Sequence, residues 1–122
     1  MNSQRKERGE QPSDLFTLAV KYFQKEGYTI EQEQHEKEGF SGRLRTFDLI
    51  IRKKNLSQGV WLRDWQRTIG INVIIDLDKS SEDVGLTNPI LVGEKFSDHA
   101  KAYANRRRIN LLTKQKMSIG LR

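Results

Sequence analysis

Apolar residues near the start of the chain recur at the three- and four-residue spacing of a helix. They are Leu15, Phe16, Leu18, Ala19, Tyr22 and Phe23. This spacing predicts an amphipathic helix, with Ser13 or Asp14 as its N-cap and Gly27 just past its end. Residues 1–12 are polar and without periodicity, so we expect a disordered N-terminal tail there.

Short apolar runs bounded by turn residues predict the strands. The strands are expected at residues 28–34, 44–53, 60–65, 90–93 and 109–113. The first of them alternates only at its start and suits a sheet edge. Residues 47–51 form a continuous apolar run broken by one acid, which predicts a sheet covered on both faces. Residues 35–43 are predicted as a loop and residues 55–59 as a turn.

Two more helices complete the pattern. Residues 71–83 place apolar side chains on one helical stripe, although their β-branched content would also fit a strand. Gly85 ends this segment, and Ser97 is the N-cap of a short helix over residues 98–105. The order αβββαβαβ predicts an α/β fold with a mixed central sheet of about five strands flanked by helices. We expect one domain over residues 13–113, followed by a basic tail over 114–122.

Composition narrows the class of protein. The chain has 122 residues, 31% of them charged, and no cysteine, which excludes disulfides and thiolate chemistry. No apolar run approaches the roughly 20 residues of a membrane-spanning helix. The first residues carry no apolar stretch of a signal peptide. These features together predict a cytoplasmic protein.

The charge pattern is compatible with a nucleic-acid partner. The net charge is +6 and the pI is near 9.7. Residues 101–122 carry seven basic side chains and no acid. Arg106, Arg107 and Arg108 stand at the end of a predicted helix, where they complement its dipole and could also grip phosphates. A solvated basic end is the alternative interpretation.

Two aspartates stand in apolar surroundings on neighbouring predicted strands. Asp48 follows Phe47, and Asp64 lies between two bulky residues. A buried carboxylate is costly unless it is paired or binds a cation. Both acids therefore fit either a metal site or a structural network of hydrogen bonds and ion pairs.

Aromatic side chains flank Asp64. Trp61 and Trp65 share one face of a strand, where they could form core, an interface of a homodimer, or stacking platforms for unpaired bases. His35 and His99 have no partners at metal-ligand or catalytic spacing. We therefore predict solvated histidines.

Three stretches carry a resemblance to a known fold. The first is the opening helix that ends in Glu26-Gly27-Tyr28. The second is the hairpin with Phe47-Asp48 on one strand and Val60-Trp61-Leu62-Arg63-Asp64-Trp65 on the next. The third runs from Pro89-Ile90-Leu91-Val92-Gly93 through Lys95-Phe96-Ser97-Asp98-His99-Ala100 to Arg108-Ile109-Asn110-Leu111-Leu112. Together they resemble the restriction-endonuclease-like fold of the PD-(D/E)xK nucleases, and within it Mrr-type domains and their archaeal relatives.

This resemblance implies a site for Mg²⁺ and a lysine that acts on a water molecule. Family members place one acid on a strand and a (D/E)-x-K motif on the next, and Asp48 matches the first acid. In one register of the second motif, Trp61 takes the acid position and Arg63 the lysine position. In the other register, Asp64 is the acid and Gln66 stands in the lysine position. The glutamate of the family's first helix is absent, because the matching residues are Leu15-Phe16-Thr17.

Two functions follow from the resemblance. One is a nucleic-acid-binding or interaction module on a nuclease-like fold, with an impaired catalytic centre. The other is an active Mg²⁺-dependent DNA endonuclease or resolvase-like enzyme, with Asp48 and Asp64 as metal ligands and Gln66 beside them. DNA is the expected partner in both, with Arg63, Arg67, Arg106, Arg107 and Arg108 as its contacts.

Overall fold

A computed structural model describes residues 14–31 and 35–122. The predicted N-terminal tail, the Ser13 cap and residues 32–34 of the first predicted strand lie outside these ranges. The elements in chain order are α1 (Asp14–Lys25), β1 (Thr29–Ile30), β2 (Glu36–Glu38), β3 (Leu44–Thr46), β4 (Leu49–Lys53), β5 (Leu56–Leu62), α2 (Ile71–Asp83), β6 (Ile90–Gly93), α3 (Asp98–Arg107), β7 (Asn110–Thr113) and α4 (Lys114–Gly120).

The main sheet has five strands in the order β1-β4-β5-β6-β7. Strands β1, β4 and β5 pair antiparallel, while β5, β6 and β7 run parallel to one another. The parallel strands are joined through α2 and α3, as parallel neighbours require a crossover. The predicted α/β fold with a mixed sheet of about five strands is confirmed.

The two faces of this sheet are covered by different helices. Because strand side chains alternate, Leu49 and Val60 face α1 and α4, while Ile50 and Leu91 face α2 and α3. The continuous apolar run in β4 therefore reflects burial on both faces, as predicted. The helices expected over residues 71–83 and 98–105 are present, and Ser97 caps α3 by accepting from the backbone amide of Ala100 at 3.1 Å.

The predicted strand over residues 44–53 is divided between two sheets. Its first part, β3, pairs with β2 in a separate two-stranded ribbon. Strand β2 lies within residues 35–43, which were predicted as a loop. The chain bends at Asp48, directly after Phe47, whose ring packs where Gly59 has no side chain. The loop prediction was wrong for β2 because its residues are all charged, so no apolar alternation marks them.

The turn before β5 is shorter than predicted. It consists of Lys54 and Asn55, with Lys54 at φ 58°, and β5 begins at Leu56. Polar residues that indicated a turn lie within the strand; Gln58, for example, is buried and donates to the carbonyl of Asn88 at 2.7 Å. Strand β5 also ends early, so residues 63–65 lie beyond it rather than within it.

The residues predicted as a basic tail contain a helix. The hydroxyl of Thr113 caps α4 by accepting from the amide of Lys116 at 3.0 Å. Met117 is fully buried against the α1 side of the sheet. The domain limits 13–113 remain a prediction, but ordered structure continues to Gly120. No helix among the described residues is long and apolar enough to cross a membrane.

Candidate functional site

The site lies at the end of the sheet where β4 begins and β5 finishes. Asp48 directly precedes β4, and Arg63 directly follows β5. The antiparallel register pairs Leu49 with Val60, and the amide of Asp48 donates to the carbonyl of Val60 at 3.0 Å. Asp48 and Arg63 are therefore brought together from 15 residues apart by strand pairing alone.

Asp48 forms an ion pair with Arg63. Its Oδ2 accepts from the backbone amide of Leu62 at 2.7 Å and from Nη1 of Arg63 at 3.4 Å. The same Nη1 donates to the carbonyl oxygen of Leu62 at 3.1 Å. The guanidinium thus lies between a carboxylate and a main-chain oxygen. The Asp48 side chain is 42% exposed and that of Arg63 26%, so solvent reaches the pair.

Trp61 occupies the strand position two residues before Arg63, on the same side of the sheet. Its Nε1 donates to the carbonyl of Thr46 at 2.9 Å, and Arg63 lies 4.7 Å from its ring centre. Thr46, Asp48, Trp61 and Arg63 line a cleft of about 100 Å³ together with Phe47.

The arginine–tryptophan contact is repeated further along the chain. Arg63 also lies 5.8 Å from the ring of Trp65, and Arg67 lies 4.3 Å from that ring. Trp61 and Trp65 both pack at the margin of the buried cluster on the α2 and α3 side. The sequence alternation of tryptophan and arginine therefore becomes an alternation in space.

The other predicted catalytic residues do not join Asp48. Asp64 and Gln66 are exposed in the segment after β5 and make no hydrogen bond or ion pair within the described parts of the chain. No group of three or more His, Cys, Asp or Glu side chains suited to a metal occurs among residues 14–31 and 35–122. The register with Trp61 and Arg63 in the motif positions is the one that places its residues beside Asp48.

Comparisons with known proteins agree with the fold. A family model described as a restriction endonuclease, the Mrr catalytic domain, matches residues 8–118. The chain belongs to this family. A solved structure, titled a protein of unknown function AF1548, is similar with a TM-score of 0.71 at 16% identity. The match covers 81% of this chain and 57% of that one, so the likeness supports the fold. No curated protein matches the chain.

The Mg²⁺ implied by the nuclease resemblance does not fit the residues at this site. Mg²⁺ requires several oxygen ligands in near-octahedral arrangement. Two candidate oxygens, Asp48 Oδ2 and the Leu62 carbonyl, already accept from Arg63. The motif position for a second acid holds Trp61, whose side chain has no oxygen to offer. Asp48 is thus the one carboxylate among the residues that line this cleft.

The predicted phosphate contacts are divided between the two ends of the sheet. Strand register aligns Arg108, at the entry to β7, with the level of Gln58, five residues from Arg63 along β5. At 3.3 Å per residue this is about 16 Å along the strands. Arg106 and Arg108 are exposed there, and Arg106 lies 5.9 Å from the ring of Tyr103.

Arg107 is exposed, but an ion pair with Asp78 holds its guanidinium on the protein surface. Its Nε donates to Asp78 Oδ2 at 2.9 Å, and the hydroxyl of Tyr103 donates to the same oxygen at 2.7 Å. The hydrogen bond to Asp78 raises the pKa of both Arg107 and Tyr103 above their usual values. Asp78 was not recognised from the sequence as a partner. An acid on the apolar stripe of a predicted helix is a signal that could have identified it.

A third aspartate–arginine pair, Asp83 with Arg45, joins the β2–β3 ribbon to the end of α2. Asp83 accepts from the amide of Ser41 at 2.9 Å, from its hydroxyl at 2.7 Å and from Nε of Arg45 at 2.8 Å. These hydrogen bonds lower the pKa of Asp83 to about 2, with Ser41 contributing most. Sequence analysis missed this pair, because residues 38 positions apart give no local signal.

The two histidines have separate surroundings. His35 Nε2 lies 2.8 Å from the carbonyl oxygen of Glu31, and His99 is exposed on α3. His35 is only partly exposed, so the prediction of a solvated side chain was incomplete for that residue.

Proposed function

We propose that this chain is a DNA-binding module on a restriction-endonuclease fold, with an impaired nuclease centre. The observation that supports this most is the position of Arg63, between Asp48 and the carbonyl of Leu62. Arginine stays protonated at any physiological pH and cannot act as a proton acceptor. A fixed positive charge therefore stands in the motif where the family resemblance implies a metal and a lysine.

The remaining donors of Arg63 suit a phosphate. A guanidinium has five N–H groups, and the hydrogen bonds of Arg63 within the described residues involve Nη1 alone. Its Nε and Nη2 are left to bind a ligand in the open cleft. Arg67 and the net charge of +6 add the sequence-independent attraction to a polyanion.

DNA binding without metal is the test. Affinity for a duplex of about 20 base pairs should be the same in Mg²⁺ and in EDTA, and should fall steeply with added salt. Changing Arg63 and Arg67 together to glutamine should lower the slope of log affinity against log salt by about two, one for each lost phosphate contact. Arg107→Gln is the matched control, because this arginine is held by Asp78.

Two results would contradict the proposal. Affinity that does not change with salt, or no binding to duplex, single-stranded or branched DNA, would leave a protein-interaction role instead. A slope unchanged in the double variant but lowered by neutralising Arg106 and Arg108 would move the interface to the opposite end of the sheet.

The alternative function is an active Mg²⁺-dependent DNA endonuclease. The exposure of Asp48 favours it, since 42% of this side chain reaches solvent and its Oδ1 accepts no hydrogen bond from the described residues. This function predicts metal-dependent cleavage that is lost in Asp48→Ala. The binding module predicts no cleavage of any DNA form, and DNA affinity that survives Asp48→Ala.

A further inference from the structure

We propose that Trp61, Arg63, Trp65 and Arg67 form a ledge that binds unpaired nucleotides, each indole stacking on a base while the arginines hold phosphates. This inference rests on the proposed nucleic-acid function and adds to it the kind of strand that is recognised. In this proposal the ledge, rather than the Asp48 carboxylate, is the part of the site that distinguishes single-stranded from duplex nucleic acid.

Planar groups alternate along the ledge. Arg63 lies 4.7 Å from the Trp61 ring and 5.8 Å from the Trp65 ring, and Arg67 lies 4.3 Å from the Trp65 ring. These distances are those of cation–π contacts. Aromatic rings, indole among them, and guanidinium planes are protein surfaces on which nucleic-acid bases stack.

The ring of Trp61 is held in place. Its Nε1 donates to the Thr46 carbonyl, and the ring borders the buried cluster under α2 and α3. Trp65 borders the same cluster although it lies beyond the end of β5. A platform that is already ordered loses little conformational entropy when a ligand binds.

Arg67 marks the open end of the ledge. It is exposed, and its one contact among the described residues is with the Trp65 ring. Trp65, Gln66 and Arg67 surround an open surface depression. Because no acid neutralises Arg67 there, its guanidinium can bind a phosphate and leave the indole face to the attached base.

Unpaired bases fit this arrangement better than a duplex does. Inside a duplex, the faces of the bases are stacked on each other and an indole cannot reach them without unstacking. In a single strand, each base has a free face, and stacking on aromatic side chains tolerates any sequence. A duplex would use only the two arginines and would leave the rings without a role.

The two tryptophans make the ledge observable. They are the only tryptophans in the chain, so tryptophan fluorescence, excited selectively over tyrosine, reports on this surface alone. The experiment titrates the protein with a (dT)12 oligonucleotide and with a 12-base-pair duplex, in EDTA and low salt. The variants are Trp65→Leu and Arg67→Gln. The control is Arg106→Gln, which removes an arginine from an aromatic ring at the other end of the sheet.

We expect (dT)12 to quench the fluorescence and to bind more tightly than the duplex. Loss of one stacking platform should weaken (dT)12 binding by about 5- to 100-fold in Trp65→Leu, while duplex affinity changes less than threefold. Arg67→Gln should weaken (dT)12 binding severalfold, and Arg106→Gln should have no such effect. If Trp65→Leu unfolds, which circular dichroism would show, quenching of the parent protein by (dT)12 and its preference for (dT)12 over the duplex still decide the question.

The failures are distinguishable. Salt-sensitive duplex binding, with (dT)12 bound no more tightly than the duplex, without quenching and with unchanged affinity in Trp65→Leu, would overturn the ledge and leave the proposed function intact. No binding to either DNA would overturn the proposed function, and the ledge with it. A homodimer seen by light scattering that dissociates in Trp65→Leu would assign the surface to self-association and overturn the ledge.

Discussion

Two aspartate–arginine pairs in this protein have the same chemistry and opposite surroundings. Asp83 and Arg45 are 11% and 15% exposed, their contact is 2.8 Å, and Ser41 supplies two more hydrogen bonds to the carboxylate. Asp48 and Arg63 are 42% and 26% exposed, and their contact is 3.4 Å. The first pair is enclosed and saturated, whereas the second is open and retains unused donors and acceptors.

The difference distinguishes a structural ion pair from the proposed binding site. A charged hydrogen-bond network that is closed on itself stabilises one arrangement of the chain and has nothing left for a ligand. An exposed pair at a sheet end contributes little to stability, but its free N–H groups can bind a phosphate. We therefore expect changes at the Asp83 pair to affect stability and changes at the Asp48 pair to affect affinity.

The largest effect on stability should come from Gly39→Ala, because the added methyl group would clash with the enclosed Asp83–Arg45 pair. A Cβ at Gly39 would overlap the Asp83 carboxylate, which three hydrogen bonds hold in place. Overpacking of a fixed site costs about 1–3 kcal/mol, so we expect the free energy of unfolding in urea to fall by that amount. Gly70→Ala is the control, because a Cβ there meets no atom within 4 Å.

Equal effects of the two glycine substitutions on the free energy of unfolding would contradict this interpretation of Asp83. Hydrogen exchange gives a more local result. Amide protons of the β2–β3 ribbon should exchange faster in Gly39→Ala, while those of β5 and β6 should keep their protection.

Much of the fold could be predicted because its signals are local. Helical spacing, the glycine after α2 and the Ser97 cap each act within a few residues, and α1, α2 and α3 lie where they indicated. The β2–β3 ribbon was missed because Asp83 and Arg45 hold it through contacts distant in sequence. Helix α4 was missed because its buried Met117 stands between lysines and other polar residues.

The residues of the candidate site could be named from the sequence, but their arrangement in space could not. Asp48, Trp61 and Arg63 were among the candidates, and two registers were left open for the second motif. Because β5 ends at Leu62, Asp64 and Gln66 lie in an exposed segment, whereas Trp61 and Arg63 lie beside Asp48; the role of these residues stays a prediction. A strand end depends on pairing with β4 and β6, which no property of residues 60–66 alone reports.

Neutralising Arg63 or Arg45 should have a smaller effect than Gly39→Ala, but it should separate DNA affinity from stability more clearly. Arg63→Gln should weaken duplex DNA binding about tenfold, the loss of one phosphate contact, while the free energy of unfolding changes by less than about 1 kcal/mol. Arg45→Gln should destabilise the ribbon and leave DNA affinity unchanged. Fluorescence anisotropy with a labelled duplex measures the first quantity, and urea unfolding measures the second. An Arg45→Gln variant that loses DNA affinity as much as Arg63→Gln would place the ribbon in the interface.

The smallest expected effect is a loss of stability of the β2–β3 ribbon at acidic pH. Because the folded protein lowers the pKa of Asp83 from 3.8 to about 2, the charged carboxylate stabilises the fold fully at pH values above about 4. This contribution is lost as the pH falls from about 4 towards 2, since the carboxylate becomes protonated. Hydrogen exchange of the β2–β3 ribbon, followed across this range, should show the ribbon opening before β5 and β6.

The origin of this acid opening can be assigned by substitution. In Asp83→Asn the ribbon should already exchange faster at neutral pH, and its exchange relative to that of β5 should no longer change between pH 4 and pH 2. Asp48→Asn should retain the acid opening of the parent protein, because Asp48 does not contact the ribbon residues that Asp83 holds. Loss of the opening in Asp48→Asn would show that the exposed pair also stabilises the ribbon. The two pairs would then not have the different roles inferred for them.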